Sequence, residues 1–199
     1  MKKINVGVLA LQGDFKEHIK MLKCLDVPVT EIRFSRQLEN IDGLIIPGGE
    51  STTINKLMDK YGFKEKLDEF WRSGKPIFGT CAGLIILASG VSGNGAGLGF
   101  IDVKVKRNAY GRQIDSFEDM VSINFDHKPE PVEFKSVFIR APKIVYTGKN
   151  VKVLSSLGDE ILLAREKNIL VCAFHPELTD DTRIHKYFIE MINENLGEK

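Results

Sequence analysis

Residues 76–88, Pro-Ile-Phe-Gly-Thr-Cys-Ala-Gly-Leu-Ile-Ile-Leu-Ala, decide the fold. The first five residues predict a short buried strand, and the apolar run after Cys81 predicts a helix over residues 82–88. Between them lies the pattern Gly-x-Cys-x-Gly, which is typical of a sharp strand-to-helix turn that exposes a nucleophile. In open α/β sheets, ligands bind at the carboxyl ends of such strands. The stretch therefore predicts a parallel sheet with a reactive cysteine at its edge.

The chain before this stretch alternates between strand and helix in the same way. Apolar runs predict strands over residues 4–11, 27–34 and 42–47. Apolar residues at helical spacing predict a helix over residues 14–25, with Asp14 as its N-cap. A second helix begins with Ser51 as its N-cap, and a third covers residues 64–72. This alternation favours an α/β fold with an open, mostly parallel sheet and helices on both faces.

The pattern changes after residue 88. Residues 89–99 are rich in glycine and serine and predict a loop. Short strands follow at 101–105, 121–125, 134–140, 151–155, 161–165 and 169–174, and a helix covers residues 180–196. Lys167 and Asn168 predict a hairpin turn between the last two strands. We expect these strands to be antiparallel additions to the same sheet, in a single domain that covers residues 1–199.

Charge and composition exclude several classes of function. The chain has 28 Lys+Arg and 27 Asp+Glu residues, a formal net charge of +1, so we expect no nucleic-acid partner. No stretch of the sequence is long and apolar enough to span a membrane, so we expect no membrane partner. The three cysteines form neither a disulfide framework nor a Cys-x-x-Cys zinc pair. We expect reduced thiols, a cytoplasmic location, and neither a metal nor a cofactor.

Cys81 is the candidate nucleophile. The helix after it points its N-terminus at the sulfur, and free N–H groups there favour the reactive thiolate. A buried structural cysteine is the commoner alternative. That alternative is our interpretation of Cys24, on a helix, and of Cys172, in a strand.

A cysteine nucleophile needs a general base, and His175 is the candidate. It follows an apolar strand in Phe174-His175-Pro176-Glu177, and in an extended segment residues i and i+2 project to the same side. Glu177 can then bind one ring nitrogen while the other nitrogen faces the thiol. The alternative is a strand-end histidine beside an unrelated glutamate. We expect the other histidines to have no catalytic role: His18 at the surface or partly buried, His127 solvated, and His185 among charged residues.

Backbone N–H groups are candidates for the oxyanion hole that acyl transfer needs. Ala82 directly follows the nucleophile. Gly49 follows the strand at residues 42–47, at the same edge of the sheet, and has no Cβ to keep a bound carbonyl away. We therefore predict that Gly49 and Ala82 supply the donors. An ordinary glycine-rich turn with Ser51 as N-cap is the alternative, and the two interpretations are compatible.

Six motifs, in order along nearly the whole chain, carry a family resemblance. They are Leu11-Gln12-Gly13, residues 43–53, residues 78–84, residues 107–113, residues 138–142 and residues 174–179. The chain resembles class I, triad-type glutamine amidotransferases and, within them, the glutaminase subunits of pyridoxal 5′-phosphate synthase. The Gly-Glu-Ser-Thr-Thr run at 49–53 and the Arg-Asn-x-x-Gly-Arg-Gln run at 107–113 are specific to this subfamily.

The resemblance implies a reaction and a set of site residues. L-Glutamine is hydrolysed to L-glutamate through a thioester on Cys81, with His175 and Glu177 completing the triad. Ammonia passes to the partner, a synthase subunit that builds pyridoxal 5′-phosphate from pentose and triose phosphates. The resemblance also implies that activity is low without this partner, and Gly48-Gly49 is suited to a peptide flip on docking. The residues implied to contact glutamine are Gly49, Glu50, Ser51, Arg107, Ile139 and Arg140, and Gln12 is implied at the partner interface.

Three other functions stay open at this point. The fold is also compatible with a glutaminase subunit that supplies a different synthase, for example one for imidazole glycerol phosphate. A peptidase-like or chaperone-like cysteine hydrolase would leave the His-Pro-Glu pair unexplained. A non-enzymatic interaction module would leave the intact Cys81, His175 and Glu177 unexplained.

Overall fold

The computed structural model describes residues 4–92, 97–107 and 116–197. The described part contains five α-helices: α1 (Phe15–Cys24), α2 (Ser51–Lys60), α3 (Phe63–Arg72), α4 (Ala82–Leu87) and α5 (Arg183–Gly197). Its strands are β1 (Val6–Leu9), β2 (Val29–Ile32), β3 (Gly43–Ile46), β4 (Ile77–Thr80), β5 (Ala88–Val91), β6 (Ile101–Lys106), β7 (Ser116–Ile123), β8 (Val132–Ile139), β9 (Lys143–Thr147), β10 (Lys152–Leu157), β11 (Glu160–Glu166) and β12 (Ile169–Cys172). Together they form one continuous sheet.

Five parallel strands, in the order β2-β1-β3-β4-β12, form one half of this sheet. The last strand in the chain, β12, pairs with β4, so that Val171 lies beside Gly79. Parallel neighbours need crossover connections, and these bring the helices onto the faces of the sheet. The carboxyl ends of β1, β3, β4 and β12 therefore meet at one edge.

Two hydrophobic cores lie on opposite faces of the sheet. In β3, Ile45 belongs to the core that contains residues of α1 and α5. Its neighbours Leu44 and Ile46 belong to the core that contains residues of α2, α3 and α4. This alternation is the period of two that a strand imposes on its side chains. The predicted open sheet with helices on both faces is confirmed.

The other half of the sheet is antiparallel, as expected. Strand β11 pairs with β12 through a tight turn at Lys167, which has φ +53°. Beyond it lie β10, β7 and β8, whereas β5, β6 and β9 form a branch that joins at β11. The predicted hairpin at Lys167-Asn168 is confirmed. None of the helices in the described ranges is long and apolar enough to cross a membrane.

Three predictions about this half were wrong. Residues 89–91 were predicted as the start of a loop, but they belong to strand β5. The small residues of β5 give no strand pattern, and the strand forms because its backbone pairs with β6. Strand β9 was not predicted, and β7 begins at Ser116 rather than at residue 121. Residues 93–96 of the predicted loop and residues 108–113 of the fourth motif lie outside the described ranges.

Candidate active site

The site is built from the segments that follow four neighbouring parallel strands. Gln12 and Asp14 follow β1, Gly48 to Ser51 follow β3, Cys81 follows β4, and His175 follows β12. These strands are adjacent in the sheet, so segments far apart in sequence meet at one edge.

The turn at Cys81 is sharp and strained. Cys81 has φ +47° and ψ −97°, a conformation that side chains rarely adopt, and its N–H donates to the Cys172 carbonyl at 2.8 Å. A Cβ on Gly79 would lie 2.6 Å from the carbonyl carbon of Gly83, and one on Gly83 would lie 2.1 Å from the Ile46 oxygen. The two glycines of the motif are therefore required by close packing of helix α4 on the sheet.

His175 lies beside Glu177 at the end of β12. Its Nδ1 lies 2.7 Å from Glu177 Oε1, and both residues are buried. The predicted contact is present, but residues 176–178 form a 3₁₀ turn rather than the extended segment from which we argued. Pro176 lies at the start of this turn, where its missing N–H has no cost.

The protonated form of His175 is strongly stabilised. Burial lowers the pKa of the ring, but hydrogen bonds with Cys81 and Glu177 outweigh burial and raise the pKa to about 10. Burial raises the pKa of Glu177, and its hydrogen bond with His175 opposes that shift. His175 is therefore well suited to accept the thiol proton.

Asp14 adds a second carboxylate that sequence reasoning did not assign to the site. Its Oδ2 lies 3.6 Å from His175 Nδ1, and its side chain is 40% exposed. We predicted Asp14 as the N-cap of α1; it occupies that position, but its side chain makes no capping hydrogen bond. Asp14 lies in the segment between β1 and α1, at the predicted sheet edge, and this position was the signal that could have indicated it.

The donor atoms of Asp14, His175 and Glu177 lie within 4.8 Å of one another, a spacing that could hold a metal ion. The Nδ1 atom of His175 already binds Glu177 at 2.7 Å, so a metal on that nitrogen would displace this bond. The expectation of no metal stays a prediction.

The predicted oxyanion donors, Gly49 and Ala82, follow the neighbouring strands β3 and β4. Ala82 is the first residue of α4, where N–H groups have no partner within the helix. Gly49 has φ +145°, and a Cβ there would lie 2.6 Å from Gln12 Oε1. A Cβ on Gly48 would lie 2.4 Å from His175 Cε1, so the backbone of this turn packs directly on the imidazole.

Glu50 joins the turn after β3 to the rest of the site. It is the N-cap of α2, where we predicted Ser51, and it accepts hydrogen bonds from the Thr52 and Thr53 N–H groups. Bonds from Thr53 and Thr52 outweigh partial burial and lower the pKa of Glu50 to about 2. Arg107 Nη2 lies 3.6 Å from Glu50 Oε1 and 3.3 Å from the Thr52 hydroxyl.

The end of β8 also lies near the Cys81 sulfur. Cys81 Sγ lies 3.9 Å from the Ile139 carbonyl oxygen. Arg140, with φ +45°, is exposed, and no residue within the described ranges makes a hydrogen bond or ion pair with its guanidinium. Gln12 accepts a hydrogen bond from the Glu50 N–H at 2.8 Å, so it links the turns after β1 and β3.

The remaining cysteines and histidines divide differently from the sequence prediction. Cys172 is buried as expected, but Cys24 is exposed because it lies at the last, outward-facing position of α1. His127 is exposed as expected. His18 and His185 are fully buried, contrary to our expectation, because the faces of α1 and α5 that carry them pack on the sheet.

The comparisons with known proteins identify the family of the chain. The chain matches the SNO glutamine amidotransferase family over residues 8–194. It is 50% identical over 193 residues to the pyridoxal 5′-phosphate synthase subunit PdxT of Halalkalibacterium halodurans, covering 96% of each chain. It is 51% identical over 190 residues to the PdxT of Fervidobacterium nodosum, covering 95% of this chain and 97% of that protein.

Solved structures give the same result. A crystal structure of a glutamine amidotransferase, 44% identical in sequence, superposes with a TM-score of 0.88 over 94% of this chain and 98% of the other. The structure of PurLQS from Thermotoga maritima shares the fold, with a TM-score of 0.73 at 14% identity over 98% of this chain and 100% of the other. The chain belongs to the SNO glutamine amidotransferase family.

Proposed function

We propose that this protein hydrolyses L-glutamine to L-glutamate and ammonia with Cys81 as nucleophile, and that a synthase subunit uses the ammonia to make pyridoxal 5′-phosphate. The observation that carries the proposal is the contact of His175 Nδ1 with Glu177 Oε1 at 2.7 Å, in the segment after a strand that neighbours the strand before Cys81. Cys81 is also one of the groups that raise the pKa of His175. Base and orienting carboxylate are thus in contact, and the nucleophile lies at the same carboxyl edge of the sheet.

The reaction proceeds in two steps. The Cys81 sulfur attacks the carboxamide carbon of glutamine while His175 takes the thiol proton; His175 then protonates the leaving nitrogen, which departs as ammonia and leaves a thioester. Water attacks the thioester carbonyl, His175 accepts a proton from the water, and return of that proton to sulfur releases glutamate. Glu177 keeps the ring oriented and stabilises its positive charge.

Negative charge develops on the carbonyl oxygen in both steps. We assign its stabilisation to the backbone N–H groups of Gly49 and Ala82, which follow the neighbouring strands β3 and β4. Preorganised backbone donors are effective because they need no reorganisation during the reaction.

The substrate's own charged groups need partners at the rim of the site. We assign its carboxylate to Arg140, whose exposed guanidinium pairs with no described residue and suits bidentate binding. Ile139 presents its carbonyl near the sulfur, and Gly49, Glu50, Ser51 and Arg107 complete the contacts proposed for glutamine.

We also propose that docking of the synthase partner activates the site. The turn at Gly48-Gly49 carries one oxyanion donor, and glycines permit a peptide flip that larger residues resist. In this proposal Gln12, which holds the Glu50 N–H at 2.8 Å, lies at the interface with the partner. Gating of this kind prevents wasteful hydrolysis of glutamine.

The cellular location that we propose follows from the chemistry of Cys81. Cys81 must be a reduced thiol, and all three cysteines are free. We therefore propose that the chain works in the cytoplasm, as a single domain over residues 1–199 and without a metal or cofactor.

The test measures glutamate release from glutamine with and without the synthase partner. Wild type is compared with Cys81→Ala and with Cys24→Ala, a matched control because Cys24 is the exposed cysteine. We expect release that depends on Cys81 and the partner and is unchanged in Cys24→Ala. Unchanged release in Cys81→Ala would refute the triad, and equal kcat with and without the partner would refute the gating.

A further inference from the structure

Two fully buried histidines lie directly behind the triad. His18, on α1, and His185, on α5, have no exposed surface, and the proposed reaction uses neither of them. Buried polar rings need partners, because an unsatisfied buried donor costs free energy. We therefore expect each of these two rings to have hydrogen-bond partners inside the protein.

Their contacts lead from α5 to the triad. His18 Nδ1 lies 2.9 Å from His185 Nε2, and His18 Nε2 lies 3.1 Å from the Thr80 hydroxyl. The same Nε2 lies 3.5 Å from Glu177 Oε2, the carboxylate oxygen that does not face His175. Within the described ranges, Glu177 Oε2 and His185 Nδ1 have no hydrogen-bond partner.

These contacts select one tautomer for each ring. If the His18 proton were on Nδ1, His185 Nε2 would have to accept it, and the proton of His185 would then lie on its own Nδ1. A buried donor at that atom has no acceptor among the described residues. The bare Nε2 of His18 would then face the Glu177 carboxylate. With both protons on Nε2, His185 donates to His18, and His18 directs its N–H at Thr80 and Glu177 Oε2. Of the two arrangements, only this one gives each ring N–H an acceptor within the described part of the chain.

We propose that His18 is a positioning residue of the triad: its Nε2–H holds the second oxygen of Glu177, and His185 fixes the tautomer that makes this possible. The proposal rests on the proposed function, because it gives His18 a role only through Glu177 and His175. The 3.5 Å separation is long for a hydrogen bond, as catalytic contacts often are before substrate binds.

The groups that face His18 allow it to act as a neutral donor. Burial, with His185 and His175 nearby, lowers the pKa of His18 well below its ordinary value, and burial lowers the pKa of His185 to about 3. His18 is bordered by Thr80 and Phe78 of β4, His185 of α5, and Glu177 of the 3₁₀ turn. A neutral N–H supports the carboxylate without competing with the positive charge on His175.

A purely structural role is the alternative. Phe78 makes edge contacts with both rings, at centroid distances of 6.1 and 6.0 Å. Packing alone would tolerate an apolar ring or chain of similar volume at residue 18. It gives no reason for a ring nitrogen of His18 to lie 3.5 Å from the carboxylate oxygen of Glu177 that does not face His175.

The first experiment reads the tautomers in the wild-type protein. Imidazole ¹⁵N shifts of histidine-labelled protein should report neutral His18 and His185, each with a protonated Nε2 and a bare Nδ1. A proton on Nδ1 of His18 would overturn the proposal. This measurement needs neither glutamine nor the partner, so its result does not depend on the proposed function.

The second experiment is a double-mutant cycle between His18→Leu and Glu177→Gln, assayed as glutamate release in the complex. We expect His18→Leu to lower kcat roughly 10- to 100-fold with little change in KM, as for other partners that orient a functional side chain. In the Glu177→Gln background, His18→Leu should have no further effect. Equal losses in both backgrounds would mean a structural role and would overturn the proposal.

Two further variants sharpen this cycle. His18→Gln keeps an N–H near the position of Nε2 and should recover most of the activity lost in His18→Leu. His127→Gln changes an exposed histidine away from the site and is the matched control. If His18→Leu does not fold, His18→Met replaces it in the cycle.

The third experiment separates this proposal from the proposed function. In a Cys24→Ser background, the pH profile of Cys81 alkylation by iodoacetamide reports the Cys81–His175 pair without glutamine. A less well held carboxylate stabilises the protonated ring less, so His18→Leu should shift the profile to higher pH, in the direction of Glu177→Gln. An unshifted profile would overturn the positioning role of His18. A shifted profile without any hydrolysis of glutamine would leave that role intact and would contradict only the proposal that glutamine is the substrate.

Discussion

At the scale of single residues, the site depends on how closely the backbone of one turn approaches one ring. A Cβ added to Gly48 would lie 2.4 Å from His175 Cε1 and 3.1 Å from Asp14 Oδ2. The ring cannot move away freely, because His175 is bound to Glu177 and buried. The absence of a side chain at residue 48 therefore sets the position of the base.

Gly48→Ala should displace the imidazole from Cys81. We expect a fall in kcat/KM of roughly 100-fold, since a misplacement of about 1 Å at a catalytic group has that effect. Glutamate release in the complex is the measurement. Gly90→Ala is the control, because its Cβ would meet only the flexible Lys104 side chain, at 3.1 Å. Wild-type activity in Gly48→Ala would contradict the prediction.

The sequence predicted the residues that lie together along the chain and missed those that meet only through folding. Cys81 lies in a five-residue motif and His175 lies two residues from Glu177, so local pattern was sufficient. His18 and His185 are 167 residues apart, and no local pattern indicates their contact. Asp14 was assigned to a helix cap because an aspartate before a helix usually has that role.

At the scale of elements, the parallel strands were predictable and the antiparallel branch was less so. Strands β1, β3, β4 and β12 are buried on both faces and, apart from Thr80, consist of apolar residues and glycine, so pattern reasoning identifies them directly. Strand β5 contains serine and glycine, and strand β9 has only one buried residue. Such strands are stabilised by their neighbours rather than by their own composition.

The start of helix α2 gives a prediction at this scale. Glu50 accepts hydrogen bonds from Thr52 N at 3.0 Å and from Thr53 N at 2.7 Å. Sequence reasoning chose Ser51 because serine is a common N-cap and glutamate is not. Ser51 is instead buried as the first residue of the helix.

Glu50→Ala should remove the cap and lower the free energy of unfolding by about 1 kcal/mol. Glu50→Asp should keep most of the stability, because aspartate is a good N-cap, but its shorter side chain retreats from Arg107. If the Arg107 contact serves glutamine binding, Glu50→Asp should raise KM without loss of stability. Urea unfolding and glutamine kinetics separate the two roles, and equal destabilisation by both variants would contradict the capping argument.

At the scale of the whole molecule, the sheet is continuous across its parallel and antiparallel halves. Strand β12 connects them, because it is parallel to β4 on one side and antiparallel to β11 on the other. Separate unfolding of either half would expose the edge of this central strand. The position of β12 therefore favours a single domain, which stays a prediction.

We expect one cooperative unfolding transition in urea. The only tryptophan, Trp71, stacks on Phe100 at 4.7 Å and reports on the face that carries α3, whereas far-UV circular dichroism reports on all elements. The two signals should change together. A tryptophan transition at a clearly different urea concentration would indicate two independently folding units.

The buried histidine pair makes the stability of the whole chain sensitive to acid. In the unfolded chain both rings ionise near pH 6.5. In the folded protein, burial lowers the pKa of His185 to about 3, and the pKa of His18 is also lowered well below 6.5. Above pH 6.5 neither state binds these protons, but below it only the unfolded state does. The stability that this pair contributes is therefore complete above pH 6.5 and falls as the pH falls toward the pKa values of the folded state.

Between pH 6 and pH 5, each histidine should lower the free energy of unfolding by at most about 1.4 kcal/mol per pH unit. His185→Gln keeps an N–H for His18 but removes one titrating group, so it should roughly halve the slope that the pair contributes. Chemical unfolding at several pH values across this window is the measurement, with the exposed His127→Gln as control. The slope is informative even if His185→Gln is less stable overall, because a loss that is independent of pH does not change it. If His185→Gln kept the wild-type dependence of the free energy of unfolding on pH, the prediction would be wrong. His185 would then take up its proton in the folded protein, and the contacts of His18 with His185 and Glu177 would open in acid.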